Sequence, residues 1–326
     1  MPRPVGQEAI DFLEEWDDAS YDIINKTKLC IKYNGSDRLL RGWASDIRKD
    51  LALQNARPIS ESKKHRNQFI KQSPSPTIMT LNTNGGSKTI LNVNDAHCPF
   101  QDDATLDLII SFASGLQPDY INFKGDWADW YQISKFNKDP KRITHLQDDL
   151  DIAKDRLKRF RDACPDSKLI YELGNHDDRL RKYLWMKAPE LSSLRGTDIR
   201  ELLGFGELEI DCIPSECLLE INGIFQSEHG EVVSKHSGWT AKAMFEKRGG
   251  SGICGHSHRG GSYFKHDSDY FGWWENFCTC TLNPQWTKNP NWMQGFSLVH
   301  FIEKRFYVEQ IPIIKHKFVY AGELFE

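Results

Sequence analysis

Five short polar stretches each follow an apolar, strand-like run and carry side chains of the types that bind metal ions. The most informative is Gly174-Asn175-His176-Asp177, which follows the run Leu169-Ile170-Tyr171-Glu172-Leu173. An apolar run that ends at a glycine predicts a buried strand and a sharp turn. Asn175 offers a neutral oxygen and His176 a titratable imidazole, and the adjacent Asp177 could orient that ring. The carboxyl ends of strands are where open α/β sheets bind ligands.

The other four stretches are Asp95-Ala96-His97, Gly125-Asp126-Trp127-Ala128-Asp129, His229-Gly230 and Gly255-His256-Ser257-His258. Residues two apart in an extended chain point the same way, so the pairs Asp95/His97 and His256/His258 could each grip an ion. Asp126 has two carboxylate oxygens and could bridge two cations. A single such stretch is weak support, because a lone histidine is more often a core or surface residue. Five in one order, each at a strand end, predict a dinuclear metal site.

The chemistry of these ligands limits the choice of metal. Histidines mixed with carboxylates and without thiolates favour Mn²⁺, Fe, Zn²⁺ or Co²⁺ over Ca²⁺ or a structural zinc. We predict two divalent ions, with Mn²⁺ as the first choice and Mg²⁺ as a further alternative. Asp95 and Asp126 neutralise only half of the charge of such a pair, so the site attracts phosphate. Ions about 3.5–4 Å apart can hold a bridging hydroxide and clamp the oxygens of an in-line displacement at phosphorus.

Alternating strands and helices must position these stretches. Strand-like runs at 89–94, 120–123 and 168–173 alternate with helical patterns at 102–114 and 143–160, which predicts parallel βαβ units. After residue 208 the chain is richer in strands, and 238–248 reads as a further helix. We assign residues 88–326 to this α/β domain.

The first 87 residues have a different pattern. Residues 1–55 read as a helical accessory segment, in which two helices joined by Asn34-Gly35-Ser36 fit a helix-turn-helix outline. Arg38, Arg41, Arg48 and Lys49 could contact DNA phosphates, but nearby acidic residues also fit a small bundle with a solvated charged face. Residues 56–87 are rich in Ser, Pro and Gly and read as a linker.

The composition of the chain argues against several classes of protein. The chain has 326 residues, 39% of them hydrophobic, and a net charge of −4, so it can bury a substantial core and does not require a polyanionic partner. It has no apolar run of about 18 residues and no signal-peptide pattern, so we expect a cytoplasmic protein without a membrane partner. The eight cysteines are scattered, which predicts reduced and mostly buried thiols.

The order of these motifs resembles the calcineurin-like metallophosphoesterases over roughly residues 88–300. The resemblance implies a four-layer αββα sandwich of two mixed β-sheets flanked by helices, with the metals at the strand ends. It implies that one ion is held by Asp95, His97, Asp126 and His258, and the other by Asp126, Asn175, His229 and His256. It also implies that His176 protonates the leaving oxygen, with Asp177 fixing the ring.

The resemblance also bears on the substrate. Phosphoprotein phosphatases of this superfamily carry arginine after the second aspartate of the GDxxD block and glutamate after GNH. Trp130 and Asp177 occupy those positions here. The GNHD form looks more like the SbcD-type nucleases and related phosphodiesterases. We therefore predict a phosphodiesterase or nuclease that acts on nucleic acid or a nucleotide by attack of a metal-bound hydroxide. The alternatives are a nucleotide or phosphoprotein phosphomonoesterase and a non-catalytic scaffold that binds nucleic acid or protein.

Side chains near the ligand blocks are candidate substrate contacts. Trp127, Trp130 and Tyr131 could stack on a base, although packing of an inserted loop explains them as well. Arg179 and Arg259 could contact phosphates. His236 could be a further contact, with a surface histidine as the alternative.

Overall fold

The computed structural model describes residues 3–5, 7–19, 23–34, 36–54, 77–83, 85–135, 137–139, 141–142, 144–266, 270–284 and 290–326. The chain divides into two compact units, Met1–Ser75 and Pro76–Glu326, and each is described by itself. The predicted linker lies outside the described residues between 55 and 76.

The described part of the first unit is helical. Its helices are α1 (Gln7–Ala19), α2 (Ile23–Lys32) and α3 (Asp37–Gln54). Buried side chains recur at helical spacing, Phe12 and Trp16 on α1 and Leu40, Trp43 and Ile47 on α3. These faces pack into one small core, because each helix has one apolar stripe. DNA contact by this unit stays a prediction. The side chains of Arg38, Arg48 and Lys49 lie outside the described part.

The second unit contains the remaining elements. Its helices are α4 (Asp103–Leu116), α5 (Leu146–Ala163), α6 (Arg179–Lys187), α7 (Ile199–Leu202), α8 (Phe205–Leu208) and α9 (Trp239–Arg248). Its strands are β1 (Thr77–Leu81), β2 (Ser87–Val93), β3 (Tyr120–Phe123), β4 (Lys168–Glu172), β5 (Ile210–Ile213), β6 (Cys217–Ile221), β7 (Phe225–Glu228), β8 (Gly252–Cys254), β9 (Gly260–His266), β10 (Tyr270–Asn276), β11 (Gln294–Ile302), β12 (Arg305–Ile313), β13 (Phe318–Tyr320) and β14 (Glu323–Phe325).

Two mixed six-stranded sheets form the centre of this unit. The first has the order β12-β11-β2-β3-β4-β5, in which β2 to β5 are parallel. The second has the order β1-β6-β7-β8-β10-β9, in which β7 and β8 are parallel. Parallel neighbours end at the same edge of a sheet, so the polar stretches that follow β2, β3 and β4 emerge side by side. The stretches after β7 and β8 do the same in the second sheet.

The two sheets pack face to face and helices cover their outer faces. Ile90 and Ile170 of the first sheet and Phe225 and Trp274 of the second lie in one buried cluster. Helices α4 and α5 bury their apolar faces with the opposite side of the first sheet. Helix α9 packs Met244 into a buried cluster with strands β8 and β10 of the second sheet. These layers confirm the predicted α/β sandwich.

The sequence-based linker extends too far toward the carboxyl end. Thr77–Leu81 forms strand β1, which pairs in parallel with β6 at the edge of the second sheet. Most of its side chains are exposed. An edge strand without a buried face has no alternation of apolar and polar residues, so its sequence pattern resembles that of a loop.

The thiols agree with the prediction. All eight cysteines lie in the described ranges and are free, and five of them are buried. Among the helices of the described ranges, none combines the length and the apolar character needed to cross a membrane. The cytoplasmic location stays a prediction.

Candidate metal centre

Backbone hydrogen bonds join the polar stretches at the strand ends. The amide of Asp95 donates to the carbonyl of Gly125 (3.1 Å), and the amide of Gly255 donates to that of His229 (2.8 Å). The amide of His256 donates to Oδ2 of Asp95 (3.0 Å), which connects the two sheets at this edge. Stretches that are far apart in the chain therefore meet in one place.

The first cluster contains Asp95, His97 and His258, all of them buried. Oδ1 of Asp95 lies 3.0 Å from Nε2 of His258 and 3.5 Å from Nε2 of His97, and the two Nε2 atoms are 3.0 Å apart. Ligand atoms about 2.0–2.2 Å from one ion lie roughly 3–3.5 Å from each other. Oδ1 of Asp95 is also buried with no hydrogen bond to any described residue. This triangle of atoms fits one divalent ion.

The second cluster contains Asp126, His229 and His256, with Asn175 beside them. Nε2 of His229 lies 3.3 Å from Oδ2 of Asp126 and 3.1 Å from Oδ1 of Asn175. Nδ1 of His229 donates to the carbonyl of Lys124 (2.6 Å), which leaves the Nε2 lone pair for a metal. These atoms fit a second divalent ion.

Asp126 lies between the two clusters. Its Oδ2 is 3.3 Å from Nε2 of His229 in the second cluster and 4.0 Å from Nε2 of His97 in the first. Its Oδ1 accepts the backbone N–H of His176 (2.7 Å). One carboxylate oxygen therefore faces both clusters while the other is held by the backbone. The structure brings together all seven side chains predicted as ligands, and their metal-binding role stays a prediction.

Five of these seven ligands have a left-handed backbone. Their φ values are 53° for Asp95, 51° for His97, 51° for Asp126, 65° for His256 and 56° for His258. Residues other than glycine seldom adopt this region, and each such residue costs on the order of 1 kcal/mol or more. The turns nevertheless bring these side chains together beyond the strand ends, with His258 in the first cluster and His256 in the second.

Gly174 permits the close approach of the loops after β3 and β4. A Cβ atom at this position would lie 2.2 Å from Oδ1 of Asp126 and 2.7 Å from its amide nitrogen. Only glycine fits there without displacing the bridging carboxylate.

Opposite charges in the centre shift the pKa values of the ligands. Burial alone lowers the pKa of His97, but Asp129 and Asp95 outweigh it and raise the pKa to about 10. Burial also lowers the pKa of His229, and Asp126 raises it to about 9. The pKa of His256 falls to about 4, because burial and the neighbouring His229 both disfavour the imidazolium. Each shift therefore reflects burial together with the charges of neighbouring side chains.

Asp129, not Asp177, contacts the ring of His176. Oδ2 of Asp129 lies 3.1 Å from Nδ1 of His176, although not in line for a hydrogen bond, and 3.2 Å from Nδ1 of His97. Asp177 points into the protein instead. It accepts the backbone N–H groups of Asp126 (2.9 Å) and Gly174 (2.8 Å) and the hydroxyl of Tyr171 (2.9 Å). The predicted orienting role of Asp177 is therefore corrected, since its carboxylate holds the turn rather than the imidazole.

The guanidinium of Arg179 lies at the same place. Its Nη1 donates to the carbonyl of Asp129 (2.6 Å), and its Nη2 lies 2.7 Å from Nε2 of His176. Arg179 therefore lies beside His176 and Asp129, and its contact with a phosphate stays a prediction.

The two tryptophans of the GDWADW stretch are core residues. Trp127 is fully buried, packs against Phe123 and Phe160, and donates its Nε1–H to the carbonyl of Ala153 (3.0 Å). Trp130 is 1% exposed. The prediction that these rings stack on a base is therefore wrong, because neither has a face open to a ligand.

Two cavities open at the centre. A cavity of about 250 Å³ is lined by His97, Asp126, His176, His256, Arg259 and Trp292. A larger cavity of about 660 Å³ is lined by Phe100, Tyr131, Lys138, Arg142, His176 and Arg179, among others. His176 and Asp129 line both cavities.

The remaining predicted contacts divide between these cavities and the surface. Tyr131 lines the larger cavity, and Arg259 lines the smaller one while donating to the carbonyl of Ser234 (2.8 Å). His236 is exposed, and its ring contacts Trp239 at a centroid distance of 4.6 Å. It is not among the residues that line these two cavities.

Two residues that support the site could not be assigned from the sequence. Asp129 was visible as the second aspartate of the GDxxD block, but nothing in the sequence indicated which imidazole it would contact. The buried Lys124 lies 3.2 Å from Oε2 of Glu172 and donates to Ser227 (2.6 Å), and its own backbone carbonyl accepts from Nδ1 of His229. A lysine directly after a strand-like run gives no signal that its side chain is buried and paired in this way.

Comparison with known proteins gives sequence relatives and solved structures. No family model matches the chain. Gene 54 protein of Mycobacterium phage L5 is 29% identical over 258 residues, which cover 74% of this chain and 99% of that protein. Gene 54 protein of Mycobacterium phage D29 is 28% identical over 254 residues, with the same shares covered.

Three similar solved structures have low identity. Vacuolar Protein Sorting 29 from Cryptosporidium parvum is 11% identical with a TM-score of 0.40, covering 74% of this chain and 98% of that chain. The phosphoesterase YfcE from E. coli is 9% identical with a TM-score of 0.32, covering 64% and 87%. A dimetal phosphatase from Danio rerio is 12% identical with a TM-score of 0.36, covering 68% and 95%. The chain itself resembles the calcineurin-like metallophosphoesterases in its two mixed sheets and in the order of its strand-end motifs.

Proposed function

We propose that this protein is a phosphoesterase that uses two divalent metal ions. The observation that carries the proposal is the convergence of seven side chains into two clusters that share Oδ2 of Asp126. Asp95, His97 and His258 would hold one ion, and Asn175, His229 and His256 the other, with Asp126 between them. Histidine and carboxylate ligands fit Mn²⁺, Fe, Zn²⁺ or Co²⁺, with Mn²⁺ as the first metal to try.

When bound, the two ions would activate a water molecule and neutralise the charge that develops on the phosphate oxygens. The reaction forms a bond between the water oxygen and phosphorus and breaks the bond from phosphorus to the ester oxygen. His176 lies at the junction of the two cavities and would give a proton to the departing oxygen. Asp129 would keep the ring in place and stabilise its charged form.

We further propose that the substrate is a phosphodiester, with a nucleic acid or a nucleotide as the natural class. The leaving group of a nucleotide diester is large and must lie beside the general acid, and the larger cavity opens next to His176. Because an alkoxide leaves poorly, a positioned imidazolium matters most for unactivated diesters, where it contributes about 10²–10⁴-fold.

Arg179 favours a second candidate, a phosphomonoesterase. Its guanidinium lies beside His176 and Asp129 and could grip a terminal phosphate dianion. Comparing hydrolysis of p-nitrophenyl phosphate with that of bis-p-nitrophenyl phosphate separates the two candidates. A diesterase prefers the second compound, and a monoesterase prefers the first.

The proposed function is tested with bis-p-nitrophenyl phosphate. We expect hydrolysis with Mn²⁺, loss of hydrolysis with a chelator, and two ions per chain by elemental analysis. Asp126→Asn and His256→Ala should abolish the activity. The matched controls Asp107→Asn and His266→Ala alter exposed residues away from the centre and should leave it unchanged.

Full activity in Asp126→Asn or His256→Ala contradicts the site assignment. Fewer than one ion per chain, with no hydrolysis of any phosphoester, supports the non-catalytic scaffold instead.

A further inference from the structure

The larger cavity beside His176 has walls of two kinds. The rings of Phe100 and Tyr131 meet edge to face with centroids 5.6 Å apart. The hydroxyl of Tyr131 accepts the backbone N–H of Asp139 (2.6 Å), which fixes the ring. Cationic side chains complete the lining, and the three cations Lys138, Arg142 and Arg179 outnumber the two acids Asp129 and Asp139. A ligand with an aromatic ring and a negative charge matches these walls.

Arg142 is the most informative of the cations. Its guanidinium carbon lies 4.0 Å from the centroid of Phe100 and 5.2 Å from that of Tyr131. Its Nε is buried and makes no hydrogen bond, and no carboxylate in the described ranges forms an ion pair with its guanidinium. A guanidinium that lies against aromatic rings and has an unpaired, buried Nε–H is suited to bind a phosphate at the side of a base.

The position of the cavity tells which part of a substrate it would hold. The general acid must lie next to the departing oxygen, and His176 lines this cavity as well as the smaller one over the metal ligands. The leaving group of a diester cleaved here therefore extends into the larger cavity, while its phosphorus stays at the ions.

We propose that the leaving group is a nucleotide unit, with a base that stacks in the Phe100–Tyr131–Arg142 cavity and a phosphate of its own that binds Arg142. The proposal rests on the phosphodiesterase function proposed above and narrows it. The substrate class is an oligonucleotide or dinucleotide in which the departing nucleoside carries a further phosphate. A diester whose leaving group is an uncharged nucleoside or a simple alcohol is then a poor substrate.

The test uses the full-length protein with Mn²⁺ and the dinucleotides TpT, pTpT and TpTp, with bis-p-nitrophenyl phosphate as the reference diester. The products of TpT show which nucleoside departs. If they include thymidine 5′-phosphate, pTpT must be the preferred substrate, and if they include thymidine 3′-phosphate, TpTp must be. We expect the kcat/KM of the preferred dinucleotide to exceed that of TpT by about 10–100-fold, as one charge-assisted contact gives.

Substitutions at Arg142 and at its neighbour Lys141 test whether Arg142 causes this preference. Arg142→Gln should reduce the preference for the phosphorylated dinucleotide to nearly that for TpT, and Arg142→Lys should keep part of it. Lys141→Gln removes the same charge from the adjacent, exposed side chain and should keep all of it. Because the preference is a ratio within one variant, a general loss of active protein does not alter it.

Three outcomes contradict the inference. The first is a wild type that does not favour the dinucleotide whose departing nucleoside carries the phosphate. The second is full retention of the preference in Arg142→Gln, and the third is an equal loss of it in Lys141→Gln. If one of these results is found and bis-p-nitrophenyl phosphate is still hydrolysed, only the proposal of a nucleotide leaving group is overturned, and the phosphodiesterase function stands. If no diester is hydrolysed with metal present, the proposed phosphodiesterase function fails and this inference fails with it.

Discussion

Replacing Asp129 with asparagine should have two effects that can be measured separately, one on His176 as the proposed general acid and one on metal binding. Asp129 is 5% exposed, and its Oδ2 lies 3.2 Å from Nδ1 of His97 and 3.1 Å from Nδ1 of His176. Asparagine keeps the volume but removes the charge that favours a proton on both rings. We therefore expect Asp129→Asn to weaken metal binding through His97 and to slow leaving-group protonation through His176.

The contacts set the size of each effect. A partner of a metal-binding histidine contributes about 10–100-fold to metal affinity or activity. A carboxylate 3.1 Å from the ring favours the imidazolium through its charge by about one to two pKa units, or about 1.5–3 kcal/mol, which corresponds to about 10–150-fold in rate. Saturating Mn²⁺ removes the first effect and leaves the second.

The assay compares two diesters at saturating Mn²⁺. TpT has a poor leaving group and needs the acid, whereas bis-p-nitrophenyl phosphate has a good one and needs it little. We expect Asp129→Asn to lose about 10–150-fold in kcat on TpT and less than about tenfold on the activated ester. The control Asp177→Asn loses an acceptor for the amides of Asp126 and Gly174, so it should lower the melting temperature and slow both substrates alike.

An equal loss on the two esters at saturating Mn²⁺ refutes the reasoning about Asp129 and His176. If extra Mn²⁺ fully restores the activity of Asp129→Asn, the reasoning is also refuted, because Asp129 would then act only on His97.

Two further predictions concern the metal centre itself. Gly174→Ala should cost about 1–3 kcal/mol in the free energy of unfolding and reduce the bound metal to fewer than two ions per chain, because its Cβ would overlap Oδ1 of Asp126. Denaturant unfolding and elemental analysis check it against Gly115→Ala, whose added Cβ meets nothing within 4 Å, and an equal loss in that control contradicts it. The pKa values of about 10 for His97 and about 9 for His229 keep both rings protonated at neutral pH in the metal-free protein, so metal binding must release protons and metal affinity must rise with pH toward about 10. Titration calorimetry in two buffers of different ionisation enthalpy measures the released protons, and identical heats in both buffers contradict the prediction.

The convergence of these seven side chains was predictable because it depends on strand ends. Parallel strands finish at one edge of a sheet, so polar residues that follow each apolar run must gather there, whatever their separation in the chain. Asp95 and Asp126 meet for that reason, since β2 and β3 are neighbours in register. The α/β class followed from the same alternation of strands and helices.

Features that depend on the direction of a single side chain were not predictable. Trp127 and Trp130 lie one and four positions after Asp126, and the sequence cannot tell that both rings turn into the core. Asp177 is adjacent to His176 in the chain, yet Asp129, 47 positions earlier, contacts the ring. Nearness in sequence indicates nearness in space only within a turn, and here the turn directs Asp177 to backbone amides instead.

The left-handed turns at the ligands imply a conflict between durability and activity. Asp95, His97, Asp126, His256 and His258 hold conformations that glycine adopts at almost no cost. Without metal, the protein therefore carries conformational strain that a glycine at one of these positions relieves, offset by the flexibility glycine gives the unfolded chain. A variant that gains stability from such a glycine would lose one of the side chains assigned to the proposed metal site.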